Sequence, residues 1–439
     1  MPQIYSYTSS TRLFTPSYII NEIPSYSFTV GDLHAHLLAL PFFLFNLILI
    51  YHLASSKKPD IKLFLLLSLS IASSGMINAW DFITLSSILL IFAALKLKSD
   101  FKIHWFLYSV GAILFALLLV WPALSGFQSP TLGIGFIPAH IAKYSLTNVQ
   151  YPTPISGFFG IWGIFIIGIL AIFALKKRVL KENLFVIALS IVSFGIIIGV
   201  ELLFIKDIYS VANPPYFRAN TTFKFGYHAW IMFSLIFSII LSLFHKKLVK
   251  NILIAITVFW GIFYPYQAIK QFYLSNAQSE KTLNGTRWIS YSTPADWDVI
   301  NYINKNFHER VIIAEAVGDS YTTYGRISTF TGMITPMGWK THEWTWRFEG
   351  KNAKNSKPKE SVETGWGQIA KISQDIENLY NTNNIALAKE IIKKYGINFV
   401  YIGELEKATY PAINENKFYK LGKVEFQSSK SALISLDKI

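Results

Sequence analysis

Long apolar runs separated by short polar stretches dominate the first 270 residues. They cover residues 37–54, 61–77, 82–95, 103–121, 157–175, 184–205, 223–244 and 250–269. Several approach the roughly 20 residues that a helix needs to cross a hydrocarbon core of about 30 Å. The runs at 61–77 and 82–95 are short and separated only by Asn78-Ala79-Trp80-Asp81, which predicts a helical hairpin rather than one long kinked helix. Eight membrane spans follow. After Tyr273 the periods shorten. Thr293-Pro294-Ala295-Asp296 opens a helix with Trp297, Ile300 and Ile303 on its apolar face. Residues 311–316 read as a buried strand, residues 384–395 as a helix ended by Gly396, and residues 398–402, 419–426 and 431–436 as further strands. Strands alternating with helices predict a small α/β domain. The expected fold is a polytopic α-helical membrane domain over residues 1–275 and a C-terminal extracytoplasmic α/β domain over 276–439.

Composition sharpens that division. The chain has 439 residues, of which 52% are hydrophobic and 15% charged; typical globular chains carry about 25% charged residues. Residues 1–275 hold 19 Lys and Arg against 8 Asp and Glu, whereas residues 276–439 hold 21 against 18. Most of the net charge of +14 therefore belongs to the membrane part, where it sets topology. Nucleic acid is not an expected partner. The absence of cysteine excludes disulfides, thiolate metal sites and a cysteine nucleophile. Residues 1–30 contain no signal-peptide core, so the first span is expected to act as its own insertion signal.

Charge also predicts orientation. Basic clusters follow span one (Lys57, Lys58, Lys62), span three (Lys96, Lys98, Lys102), span five (Lys176, Lys177, Arg178, Lys181) and span seven (Lys246, Lys247, Lys250). All fall on alternate connections, as the positive-inside rule requires. The opposite, outer face then carries Asp32, Asn78 with Asp81, the 122–156 loop, Glu201 to Lys224, and everything after residue 270.

The chemistry-bearing residues gather on that face. Asp32-Leu33-His34-Ala35-His36 brings one carboxylate and two imidazoles to the mouth of span one, suited to acid/base work or to a divalent cation held by Asp32 and His36. The plainer alternative is that Asp32 caps the first helix and the histidines anchor it at the interface. Asn78 and Asp81 sit at the hairpin tip, as a polar pair of the site or as a turn beside an interfacial Trp80. Glu201 lies inside an apolar run, which marks it as functional unless it pairs with Lys206 or Lys224. Arg218, Asn220 and Lys224 lead into span seven. Arg218 and Lys224 suit a phosphate, or else they pair with Glu201 or Asp207. His228 lines the same cavity or is simply buried. The 122–156 loop is poorly periodic and proline-rich, of the kind that closes over a substrate. In the outer domain, Gly325-Arg326 and Gly338-Trp339-Lys340-Thr341-His342-Glu343-Trp344-Thr345-Trp346-Arg347 combine aromatic faces with Arg326, His342, Glu343 and Arg347, the groups that sugar rings need. A loop packed onto the membrane surface is compatible with that reading. No Walker A loop and no GxGxxG is present.

Several spaced motifs together resemble the Chlor_Arch_YYY family. They are Phe28-Thr29-Val30-Gly31-Asp32-Leu33-His34-Ala35-His36, Asn78-Ala79-Trp80-Asp81-Phe82, Arg218-Ala219-Asn220-Thr221-Thr222-Phe223-Lys224-Phe225, the Gly338–Arg347 stretch, and Lys394-Tyr395-Gly396 with Tyr401-Ile402-Gly403-Glu404-Leu405-Glu406. That family comprises polytopic membrane proteins of archaea and Chloroflexi of unknown function, and it resembles the GT-C class of membrane glycosyltransferases. The resemblance implies transfer of a sugar from a polyprenyl-phosphate donor in the membrane to a glycan or protein acceptor outside it. Asp32 or Asp81 would be the general base or metal ligand acting on the acceptor hydroxyl, with His34 and His36 beside it and magnesium or manganese as the implied cation. Arg218 and Lys224 would stabilise the leaving phosphate. The chain departs from the family pattern in lacking its N-terminal spans, which implies a fragment or a separately encoded N-terminal half. Two rival readings remain: a transporter or flippase of lipid-linked sugars or envelope polymer, and a non-catalytic glycan-binding assembly protein.

Overall fold

The computed structural model describes residues 18–58, 60–100, 103–126, 131, 133–147, 149, 151–175, 183–207, 210, 214–242, 247–273, 282–344 and 365–436. They form two compact units, one holding the described residues up to Tyr273 and the other those from Thr282 onward.

The first unit is helical. Its elements are α1 (Pro24–Val30), α2 (Ala35–Leu38), α3 (Leu40–Ser55), α4 (Ile61–Ile77), α5 (Ala79–Asp100), α6 (Ile103–Gly126), α7 (Ile137–Tyr144), α8 (Ile155–Leu175), α9 (Leu184–Gly199), α10 (Ala219–Ser242) and α11 (Lys247–Phe272). Among the described residues three helices are long and apolar enough to cross a membrane, over Ala79–Ser99, Ile103–Ser125 and Lys250–Phe272; Leu40–Ser55, Ile61–Ile77, Ile155–Leu170 and Leu184–Gly199 are shorter apolar helices. Leu47, Ile50, Leu67, Ile71, Leu85, Leu89 and Phe233 share one buried cluster, while Ile48, Leu65, Leu114 and Ile167 point outward. Helices apolar on every side belong in an apolar solvent. Polar side chains serve as interior links: Asn46 Nδ2 of α3 donates to Ser74 Oγ (3.0 Å) and to the Ser70 carbonyl (3.2 Å) of α4.

The hairpin expected over 61–95 is observed as α4 and α5 packed together, with Asn78 as the extended residue between them. The run at 184–205 behaves differently from its expectation. The helix ends at Gly199, and Leu203–Ile205 (β2) pairs antiparallel with Ile134–Phe136 (β1). Backbone leaving a helix in an apolar setting must find partners elsewhere, and the 122–156 loop supplies them.

The second unit is a mixed α/β layer. Strands β3 (Ile313–Ala314), β4 (Phe399–Ile402), β5 (Lys423–Gln427) and β6 (Ala432–Ser435) lie in the order β3-β4-β6-β5. β3 runs parallel to β4, and the other two pairs are antiparallel. The helix Ile385–Tyr395 is capped at its start by Asn384 and ended by Gly396 at φ 63°, a left-handed position that favours glycine. Residues 419–426, expected as one strand, instead divide between the end of helix Glu415–Leu421 and β5. The pattern misled because Phe418 is anchored in the core while β5 alternates only weakly.

Lys417 offers a test of this unit's interior. It is 2% exposed, and its Nζ donates to the carbonyls of Tyr380 and Thr382, both at 2.7 Å. Burial pulls its pKa down to about 8, against about 10.4 in an unfolded chain. Between those values the unfolded chain binds more protons, so stability should rise with pH. Thermal unfolding of the full chain from pH 8 to 9.5 should show the wild type gaining on Lys417→Met. An unchanged difference would mean that the ammonium carries no burial penalty.

Candidate functional site

The site begins with a helix end. Gly31, at φ 65°, terminates α1, and the Asp32 N–H returns to the Ser27 carbonyl at 3.0 Å. Only a residue at ease in the left-handed region turns the chain so tightly. Asp32 is thereby held where its Oδ1 accepts from the His34 N–H at 3.2 Å and from the His34 ring. The chain is extended at His34 and helical from Ala35. His34 thus stacks near His36, with ring centroids 6.0 Å apart, while His36 Nε2 lies 3.8 Å from Asp32 Oδ2. The expected capping role of Asp32 is replaced by this local turn: His34 occupies the position before α2. His36 is buried edge-on against Phe223 and Tyr227 of α10.

Lys224, on the same helix, brings its Nζ to 3.4 Å from His36 Nδ1 and feels the carboxylates of Asp32, Glu22 and Asp81. Glu22 enters from the segment before α1. It was not among the candidates drawn from the sequence, because nothing in its neighbourhood is periodic. Glu22, Asp32 and His36 each offer a donor atom within 4.8 Å of the others, so among the described residues they form a group able to hold a cation.

A second cluster surrounds Glu201. Its carboxylate accepts from Thr153 Oγ1 (2.5 Å), the Thr153 N–H (3.1 Å) and Arg218 Nη1 (3.0 Å). Arg218 is 1% exposed and lies over the Tyr151 ring. Of the two uses open to Arg218, pairing with Glu201 is therefore the one observed, and Glu201 takes Arg218 rather than Lys206 or Lys224. Asn220 donates to Asp207 Oδ2 at 2.7 Å. These residues tie the 151–153 segment and the turn after α9 to the start of α10. A cavity of about 160 Å³ reaches from Glu22 and Asn21 to Thr153, Glu201, Thr222 and Trp230, thus touching both clusters.

Behind them lies a third group. Asp81 Oδ1 accepts from Asn78 Nδ2 (2.5 Å) and from His228 Nε2 (2.8 Å), and His228 Nδ1 meets Thr84 Oγ1 at 2.8 Å. Asp81 is 1% exposed. Of the two carboxylates expected to be catalytic, Asp81 is thus enclosed and Asp32 is the more open, with its side chain 19% exposed. Thr84 also faces an apolar groove of about 450 Å³ between α5, α9 and β2.

The family model described as Uncharacterized membrane protein (DUF2298) matches residues 3–183 and 169–233. The chain belongs to this family. The DUF2298 match contains all three clusters, from Glu22 to His228, and ends before the second unit begins. None of the curated proteins matches the chain.

In the second unit the sugar-binding candidates separate. Arg326, expected at a binding surface, is instead buried between Asp296 and Glu406. Gly325 turns helix Arg326–Thr331 inward, and the Glu315 carboxylate accepts the N–H groups of Ile327 and Ser328. His342 remains near the surface, edge-on to Tyr321 (5.2 Å) and Trp339 (5.3 Å). Tyr321, missed in the sequence, is 73% exposed at φ 61°, a strained backbone for a bulky residue. Glu343 closes the same short helix, Lys340–Glu343. Arg347 lies outside the described residues.

Proposed function

We propose that this membrane protein is a glycosyltransferase of the GT-C type, within the Chlor_Arch_YYY group, that moves a sugar from a polyprenyl-phosphate donor to an extracytoplasmic glycan or protein acceptor. In this reading the membrane part crosses eight times and the α/β unit lies outside, on the argument of the alternating basic clusters. The observation that carries the reading is the meeting of a partly exposed carboxylate, Asp32, with a half-buried ammonium, Lys224, across His36. Transfer from a lipid phosphate needs those two functions at one place.

Asp32 accepts the proton of the acceptor hydroxyl while the hydroxyl oxygen bonds to the anomeric carbon. The bond from that carbon to the phosphate oxygen breaks, and the lipid phosphate leaves with the electron pair. Lys224 faces the charge that develops there, where electrostatic help acts on the transition state. His34, bonded to Asp32, holds the carboxylate in place. The apolar groove beside Thr84 suits a prenyl tail, and the aromatic set Tyr321, Trp339 and His342 of the second unit is of the kind on which sugar rings stack.

The test is transfer of labelled sugar by the purified full chain in nanodiscs, supplied with polyprenyl-phosphate sugars. Asp32→Asn should lower turnover by about 100-fold or more, the size of a lost general base. Equal turnover in that variant would remove Asp32 from the mechanism, and no transfer from any such donor would overturn the reading.

A further inference from the structure

We infer that Glu22, Asp32 and His36 form a three-donor site for a single divalent cation, and that Lys224 is the resident charge the cation must displace. The inference rests on the proposed function only for its purpose; the site itself stands on geometry.

The first observation is distance. Donors held at about 2.1–2.4 Å from one ion lie between about 3.0 and 4.8 Å from each other. The donor atoms of Glu22, Asp32 and His36 all lie within 4.8 Å of one another. The second observation is independent of the carboxylates. His36 is 5% exposed, and its Nε2 makes no hydrogen bond. A buried ring nitrogen without a partner costs free energy unless a ligand is present to meet it. This one is turned toward Asp32, with Oδ2 at 3.8 Å, too far for a hydrogen bond and suitable for two ligands on one ion. The aromatic edges of Phe223 and Tyr227 fix the ring in that direction.

Lys224 defines how the site fills. With its Nζ beside His36 Nδ1, the Nδ1 lone pair faces the ammonium, and the ring proton then sits on Nε2. Metal binding at Nε2 requires the other tautomer, with the proton on Nδ1. The lysine must therefore swing away as the cation enters. Of the carboxylates around it, Asp32 and Glu22 are then taken up by the cation, so in the proposed reaction loading the cation frees Lys224 to face the leaving phosphate. A nitrogen donor in the set favours manganese or zinc over magnesium and calcium, which prefer oxygen alone.

The probe is Mn²⁺, added to the chelator-treated full chain in nanodiscs with no donor or acceptor present. Titration followed by electron paramagnetic resonance should show one bound ion per chain with a nitrogen coupling. Glu22→Gln and His36→Gln should each weaken binding by roughly tenfold or more, and His36→Gln should remove the nitrogen coupling. His34→Gln should retain that coupling. Lys224→Met should bind Mn²⁺ more tightly than the wild type. Unchanged affinity in both Glu22→Gln and His36→Gln, or loss of binding in Lys224→Met, would overturn the site. Because no sugar is involved, Mn²⁺ binding without sugar transfer would sink the proposed function and leave the cation site standing.

Discussion

Replacing Arg326 with alanine should destabilise the α/β unit by about 3–5 kcal/mol, the usual result of stripping one partner from a buried ion network. Arg326 Nε and Nη2 donate to the two oxygens of Asp296 at 2.7 and 2.9 Å, and Nη2 and Nη1 also reach Glu406 at 3.2 and 3.4 Å. The carboxylates surrounding the guanidinium hold its pKa above the ordinary value despite burial, so it stays charged. Asp296 and Glu406 are almost fully enclosed. Glu315 is buried beside them, its pKa raised first by burial and further by Glu406. Without the arginine those carboxylates have too few donors. Arg326→Lys should rescue only partly, because an ammonium cannot serve two carboxylates through a planar fork. A triple change, Arg326→Met with Asp296→Asn and Glu406→Gln, should recover much of the loss, since the penalty belongs to unpaired charge rather than to missing contacts. Thermal unfolding of the full chain measures each variant. A shift within about 1 kcal/mol for Arg326→Ala would show that the network does not hold the unit together.

The second large effect is expected at His228. His228→Leu should destabilise the membrane unit by about 3–5 kcal/mol in detergent. The imidazole joins Asp81 of α5 to Thr84 one turn on, and its ring stacks on Phe43 of α3 at 4.7 Å with planes 4° apart. One side chain of α10 thus ties two other helices. Removing it leaves the Asp81 carboxylate with Asn78 alone, while Oδ2 already lacks a partner. Leucine keeps the packing against Phe43 and isolates the electrostatic part. Thr84→Val should cost about 1–3 kcal/mol, the price of one buried hydrogen bond. If His228→Leu and Thr84→Val proved equally mild, the Asp81–His228 pair would not be what fastens α10 to α5.

How much of this was legible beforehand depends on the kind of interaction. Helix Ile385–Tyr395, its Gly396 stop and the turn at Asn78 were readable because local chemistry, capping and glycine geometry, decides them. The apolar run at 184–205 was not divided correctly. Hydropathy cannot tell a helix from a strand when both are apolar, and β2 exists only because β1 offers it a partner. Asp32 and His36 were legible as a cluster since they are close in sequence. Glu22 joins them only through the turn at Gly31, and Lys224 from almost two hundred residues away.

Arg218, Glu201 and Arg326 show the same limit from the other side. A basic residue in the sequence offers one charge and several possible partners, and selection among them is a matter of distance. Folding placed Glu201 within 3.0 Å of Arg218 and Asp296 within 2.7 Å of Arg326, which gave both arginines internal partners. The sequence by itself determined that this is a membrane chain, because transfer free energy adds up along the chain without reference to contacts. Which carboxylate stays open, which ammonium faces it, and which buried ring nitrogen makes no hydrogen bond were decided only by tertiary structure, because electrostatics in a low-dielectric interior changes steeply over a few ångströms.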